Sequence, residues 1–361
     1  MELLFEPVPE VAAAPSAEAS PTRPPVTHYL VLPNFVDPAD IEFLIQCQFP
    51  QAKWLTEPRE AQDGPDSVTL HPGRLYVGSH SVFEGPFLST PEHPAGFGVQ
   101  GVGVYALVTN RERGAQPVPG AGDRDGLGRV FPAGLPIRQE LRTAQLLVAL
   151  ARHLSGSVIF SSAGAGVDAF ATVTPDPQAG TDLTIFCDVW LEPVAALAVA
   201  QRVEPGAHFG GQGEEWAGPA ELEPSIVEQV RAELEPEIVA HIHAVADEND
   251  LDALAADEVS SAYAIFVADL HGIVAVEIGG TDEVPAVLDG MNWAETGVLE
   301  YRISWTPSDL FQWHTERPSP EFVAQRAYVH GIIRTLAAQF YAQTGGEIAD
   351  EYGFLIDPQQ L

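Results

Sequence analysis

Residues 67–79 read SVTLHPGRLYVGS and residues 261–278 read SAYAIFVADLHGIVAVEI. Each is an apolar strand, a Leu-His corner closed by glycine (Leu70-His71-Pro72-Gly73 and Leu270-His271-Gly272), and a second apolar strand. In the first, Pro72 presets φ and Gly73 accepts positive φ, the chemistry of a tight hairpin turn. Outward from each corner the same order recurs. A further strand follows at 101–108 (GVGVYALV) or 297–305 (GVLEYRISW), then a long helix at 137–154 or 320–343, then a strand led by glycine. Ahead of each corner stand a strand (28–33, HYLVLP; 183–191, LTIFCDVWL) and a helix opened by an acid and a proline, Asp37-Pro38 or Glu192-Pro193. Proline suits the first helical position, where its missing N–H has no partner to lose.

The chain therefore reads as two tandem, divergent β-α-β-β-β-α-β halves. This is an α+β, ferredoxin-like architecture with helices on one face of mainly antiparallel sheets. The expected divisions are a disordered tail at 1–27, a first copy at 28–180 and a second at 181–361. The tail follows from PEVAAAPSAEASPTRPPV at 9–26, which lacks an apolar period and cannot repay its ordering entropy. Within the long helices, Leu147, Leu150, Ala151 and Leu154, and Phe322, Val329, Ile333, Leu336 and Phe340, form one buried stripe each. Gly156 and Gly345-Gly346 are the expected stops.

Residues 203–259 have no counterpart in the first copy and form an insertion. Its front is a Gly-rich linker. Its back reads as acidic helix with Ile226, Val230, Leu234, Ile238 and Ile242 along one seam. Glu228, Glu233, Glu235 and Glu237 would present its partner-facing charge.

The stretches VYALVTN (104–110), ELRTAQLLVALARHLSGSVIFSSAGAG (140–166) and TDLTIFCDVWLEP (181–193) resemble an uncharacterised bacterial α+β domain family of unknown function. Its domains have a hairpin, a strand, a long helix and a Gly-led return strand, and some members lie near toxin–immunity loci. The resemblance carries no catalytic motif and so implies no site residues. The Pro/Gly loop at 114–136 departs from its compact pattern.

The chain has 361 residues and a formal net charge of −34, with a single lysine, Lys53. Nucleic acid and anionic membranes require basic surfaces, so the charge argues against both and permits a basic protein partner. No apolar run approaches the roughly 20 residues that span a bilayer. With no basic leader and only Cys47 and Cys187, the expected setting is cytoplasmic, with reduced thiols. Against this acidity, Arg111, Arg113, Arg124, Arg129, Arg138 and Arg142 form an island in the first copy, while 203–301 carry one base, Arg231. The simple explanation is charge complementarity between the halves; the alternative is a phosphate or carboxylate site in the first copy.

Motifs for chemistry are sparse. GAGDRDGLG at 120–128 lacks the acid that an EF-hand needs at its twelfth position, and GFGVQG at 96–101 precedes a strand instead of a helix. His241 and His243 in AHIHAV point about 200° apart if helical. No phosphate loop and no cofactor motif is present. The richest segment is DLFQWHTER at 309–317, which gathers Asp309, Trp313, His314, Glu316 and Arg317, and an acid near a histidine is the raw material of acid–base chemistry. The expected function is a non-enzymatic protein acting through protein contacts, immunity-like or regulatory. The alternative is a small-molecule-binding protein or hydrolase with a site between the halves near His314.

Overall fold

The computed structural model describes residues 2–5, 25–62, 67–88, 103–161, 170–210, 262–268, 270–282, 284–288, 291–294 and 297–361, with Ile238, His241 and Val245 as isolated helical residues. The first half contains α1 (Pro38–Gln48), α2 (Leu127–Val130), α3 (Arg138–His153) and a seven-stranded antiparallel sheet. Its strand order is β10 (Phe170–Val173), β9 (Ser157–Ser161), β2 (Pro25–Leu32), β8 (Gly103–Asn110), β7 (Ser81–Leu88), β6 (Gly73–Gly78) and β3 (Lys53–Thr56). The second half contains α4 (Pro193–Val203), α5 (Leu310–Trp313), α6 (Pro320–Thr344) and another seven-stranded sheet. Its order is β17 (Leu355–Ile356), β16 (Glu347–Asp350), β11 (Leu183–Cys187), β15 (Val298–Pro307), β14 (Gly272–Thr281), β13 (Ala262–Val267) and β12 (His208–Phe209).

The two orders match strand for strand. In each, the first strand of the half lies between the strand that follows the long helix and the last strand of a three-stranded meander. The α+β reading with two like halves holds. Phe322, Val329, Ile333, Leu336 and Phe340 are all buried against the second sheet, as their spacing predicts.

The paired Leu-His corners, however, are not equivalent. The second is a true hairpin: β13 and β14 pair, with His271 at φ 54° and Gly272 at φ 144°. A Cβ on Gly272 would sit 2.2 Å from the Thr306 carbonyl oxygen, so glycine is required there twice over. The first corner joins two sheets. β5 (Ser67–His71) pairs with β1 (Glu2–Phe5) and β4 (Arg59–Gln62), whereas β6 pairs with β7 and β3. Gly73 is not left-handed; it lets the chain pass Pro58, whose ring a Cβ would meet at 2.4 Å. The first half's counterpart of the 262–281 hairpin is β6–β7, 73–88.

Other boundaries shift for local reasons. Glu2–Phe5, expected in the tail, is a strand paired parallel to Ser67–Leu70. Most of the insertion lies outside the described residues, but Val203 ends α4 and His208–Phe209 is an edge strand, so its start moves past Gly210. Asp37 caps α1 by accepting from the Ala39 N–H at 2.9 Å, while Glu192 makes no such cap to α4. At the end of α3 the left-handed residue is Ser155 (φ 54°), and Gly156 N–H reaches the Ala151 carbonyl at 2.7 Å. That six-to-one bond closes the last turn without glycine at the left-handed position.

The helix α3 is buried far beyond one stripe, from Leu146 through Arg152. The second half supplies part of its cover. Phe354, from the turn joining β16 to β17, is fully buried in the first half's core, with Tyr352 and Val287 packed on the same cluster. Val287 also packs on Phe186, Leu288, Val298 and Ala349 of the second half, so residues 286–288 join the two cores.

Candidate functional site

The segment 309–317 leaves the end of β15 and runs along the seam between the halves. Asp309 caps α5, its Oδ1 accepting from the Gln312 N–H at 3.0 Å. Trp313 meets the face of Trp305 edge-on at 5.7 Å. From the first half, the Arg124 guanidinium lies 4.3 Å over the Trp313 ring. The Asp123 N–H donates to the His314 carbonyl at 2.8 Å. Glu316 accepts two hydrogen bonds from Arg129, at 2.7 and 2.8 Å, and these hold its carboxyl below the ordinary range. Arg317 is exposed and adds a weaker pull on Glu316. The imidazole of His314 is exposed beside two open concavities of about 560 and 450 Å³.

The cluster thus divides by role. Trp313 and Glu316 join the halves, Asp309 shapes its own helix, and His314 and Arg317 face solvent. Leu310 and Phe311 of the same segment are 53% and 73% exposed, and across the seam Val118 is 70% exposed.

The arginine island divides similarly. Arg124 reaches Glu351 (2.7 Å) and the Ala179 carbonyl, and Arg129 reaches Glu316, so both cross to the acidic second half. Arg113 and Arg142 stay at home, Arg142 over the Phe49 ring at 5.0 Å. Arg113 forks onto the fully buried Glu140 at 2.5 and 3.0 Å, with its guanidinium 4.1 Å over Phe131. His28 completes that buried group. Its Nδ1 accepts from the Ser161 N–H, so the proton sits on Nε2, 3.4 Å from Glu140 Oε1. Burial drives the imidazole pKa down and keeps it neutral.

A second feature of the seam is a cleft. The C-terminal turn of α3, the helix α6 and the β16–β17 turn enclose a cleft of about 340 Å³. Arg152 and His153 line it from the first half; Asp182, His330, Arg334 and Tyr352 line it from the second. Arg152 contacts the Tyr352 hydroxyl and forms an ion pair with Asp125 at 2.9 Å. Asp182 accepts from the Trp305 N–H and the Thr181 hydroxyl, and burial raises its pKa. His330 is pushed down, first by burial and then by Arg334 and Arg326. The available signal was Arg326, His330 and Arg334 at successive four-residue steps on one helix, a basic row in an acidic chain.

Among the described residues no group of three or more His, Cys, Asp or Glu is placed to hold a metal. His241 is helical and exposed, while His243 lies outside the described residues, as do Glu228, Glu233, Glu235 and Glu237. No described helix is long and apolar enough to cross a membrane. Comparison with family models, curated proteins and solved structures finds no match to this chain.

Proposed function

We propose that the protein is a non-enzymatic binding protein, immunity-like or regulatory in character, that recognises a basic protein partner in the cytoplasm. The observation that carries this reading is the unequal use of the segment 309–317. Asp309 and Glu316 are committed to the fold, through the helix cap and the fork from Arg129, whereas Leu310 and Phe311 stand in solvent. Exposed apolar anchors beside a polar rim are the usual makings of a contact surface. The net charge of −34 selects a partner of opposite sign and steers its approach. The acidic insertion, with Glu228, Glu233, Glu235 and Glu237, would extend that field.

The alternative, a small-molecule-binding protein or hydrolase near His314, draws on the two concavities that reach its ring. Against it, Glu316 is locked in an ion pair and held ionised, which suits a strut better than a proton carrier.

The test is paired capture from the source organism's lysate at low and moderate salt. The baits are the wild-type chain, Leu310→Ser/Phe311→Ser, and a variant with the four glutamates reversed to Lys. A basic protein held by the wild type and lost from both variants supports the reading. Equal capture by all three, or none by any, overturns it.

A further inference from the structure

Arg152, His153, His330 and Arg334 line the cleft between the halves together with Asp182, Asp350 and Glu351, and two of these bases have no acid partner among the described residues. Arg326, His330 and Arg334 line up along α6 at successive four-residue steps. Facing them are Arg152 and His153 at the end of α3, where the helix dipole favours cations.

Acids answer most of these bases individually. Asp125 pairs with Arg152, Asp176 with Arg326, Asp350 with His153 at 3.3 Å, and Glu351 with Arg124. Asp182, also on the lining of the cleft, accepts at Oδ1 from the Trp305 backbone N–H and the Thr181 hydroxyl. His330 and Arg334 remain. Among the described residues neither side chain makes a hydrogen bond or an ion pair, and both are half-buried on the wall of a 340 Å³ cavity. A half-buried guanidinium without a counterion has lost part of its hydration and gained nothing in return.

We infer that this cleft binds a small oxyanion, the carboxylate or phosphate group of a metabolite, with Arg334 and His330 as its principal donors. Arg334 presents a fork that matches two oxygens of either group. His330, one helical turn away, offers a ring N–H to a third. The cavity volume falls in the range that takes a small metabolite. The site is separate from the Leu310–Phe311 surface and does not depend on the protein-contact reading.

Isothermal titration of the full chain with inorganic phosphate and, separately, succinate tests the inference. One of the two is expected to bind saturably. Arg334→Gln and His330→Gln should each raise its Kd by about tenfold or more, the usual loss for a hydrogen bond to a charged group. The exposed Arg302→Gln on β15 should leave Kd within about twofold, a control for general charge. Thermal melts establish that each variant is folded. Should Arg334→Gln misfold, His330→Gln with Arg302→Gln decides alone. Phosphate binding alone assigns a phosphorylated ligand; succinate binding alone assigns a carboxylate. Failure of both anions to bind, or equal binding by wild type and the His330→Gln variant, overturns the inference.

Discussion

Glu140 is fully buried, yet it accepts from the Glu112 N–H at 2.6 Å and twice from Arg113. Removing Glu140 leaves the largely buried Arg113 guanidinium without its counterion. Glu140→Ala should therefore cost about 3–5 kcal/mol in a urea titration. Its neighbour His28 adds a pH dependence, shared with His330. Both imidazoles have pKa values lowered from 6.5 in the folded chain, so the unfolded chain binds their protons more readily. Stability from these two groups is complete above about pH 6.5 and falls as pH drops below it. Urea midpoints at pH 7.5 and 5.5 should show that fall, and His330→Gln should make it shallower. Buried apolar residues give the plainest expectation at this scale. Leu147 and Ile333 are both fully buried, one in each long helix, and truncation of either to Ala should cost about 2–5 kcal/mol in denaturant.

At the scale of elements, α6 starts at Pro320 behind a serine cap, with Ser319 Oγ accepting from the Phe322 N–H at 3.2 Å. Ser319→Ala should lower stability by about 0.5–2 kcal/mol, measured by thermal melting against wild type. Elements with strong periodicity were legible in the sequence. The stripe from Phe322 to Phe340 and the strand SVIFS at 157–161 stand where the pattern puts them. The Leu70-His71-Pro72-Gly73 corner misled, because a turn signal says that the chain bends and not which strand it will meet. Pairing is decided by distant chain, here β1 and β4 on one side of the corner and β3 and β7 on the other. The candidate site was half legible. DLFQWHTER does lie on the seam, but Glu316 is a strut, a role set by Arg129 far away in the sequence. The cleft was hidden because its walls come from α3, α6 and a late turn, joined only by folding.

For the molecule as a whole, the seam is held by burial more than by surface charge. Arg129 is partly exposed, and its fork to Glu316 should be worth no more than about 1 kcal/mol. Phe354 is a different matter, being wholly buried in the other half's core. Phe354→Ala should cost about 3–5 kcal/mol. Thermal unfolding of the wild type, followed by near-ultraviolet and far-ultraviolet dichroism, should show a single coincident transition. Two separate transitions would mean that the halves melt as independent units.

That borrowed phenylalanine also sets a schedule for biosynthesis. Chain leaves the ribosome N-terminus first, at about 5–20 residues per second. The first seven-stranded sheet and its helices are therefore made well before residue 354 emerges. Throughout that interval the nascent first half holds an apolar socket with nothing in it, a surface that chaperones and neighbouring nascent chains can both reach. Only when the turn between β16 and β17 docks is the first half's core finished, so strands translated late complete a core begun early.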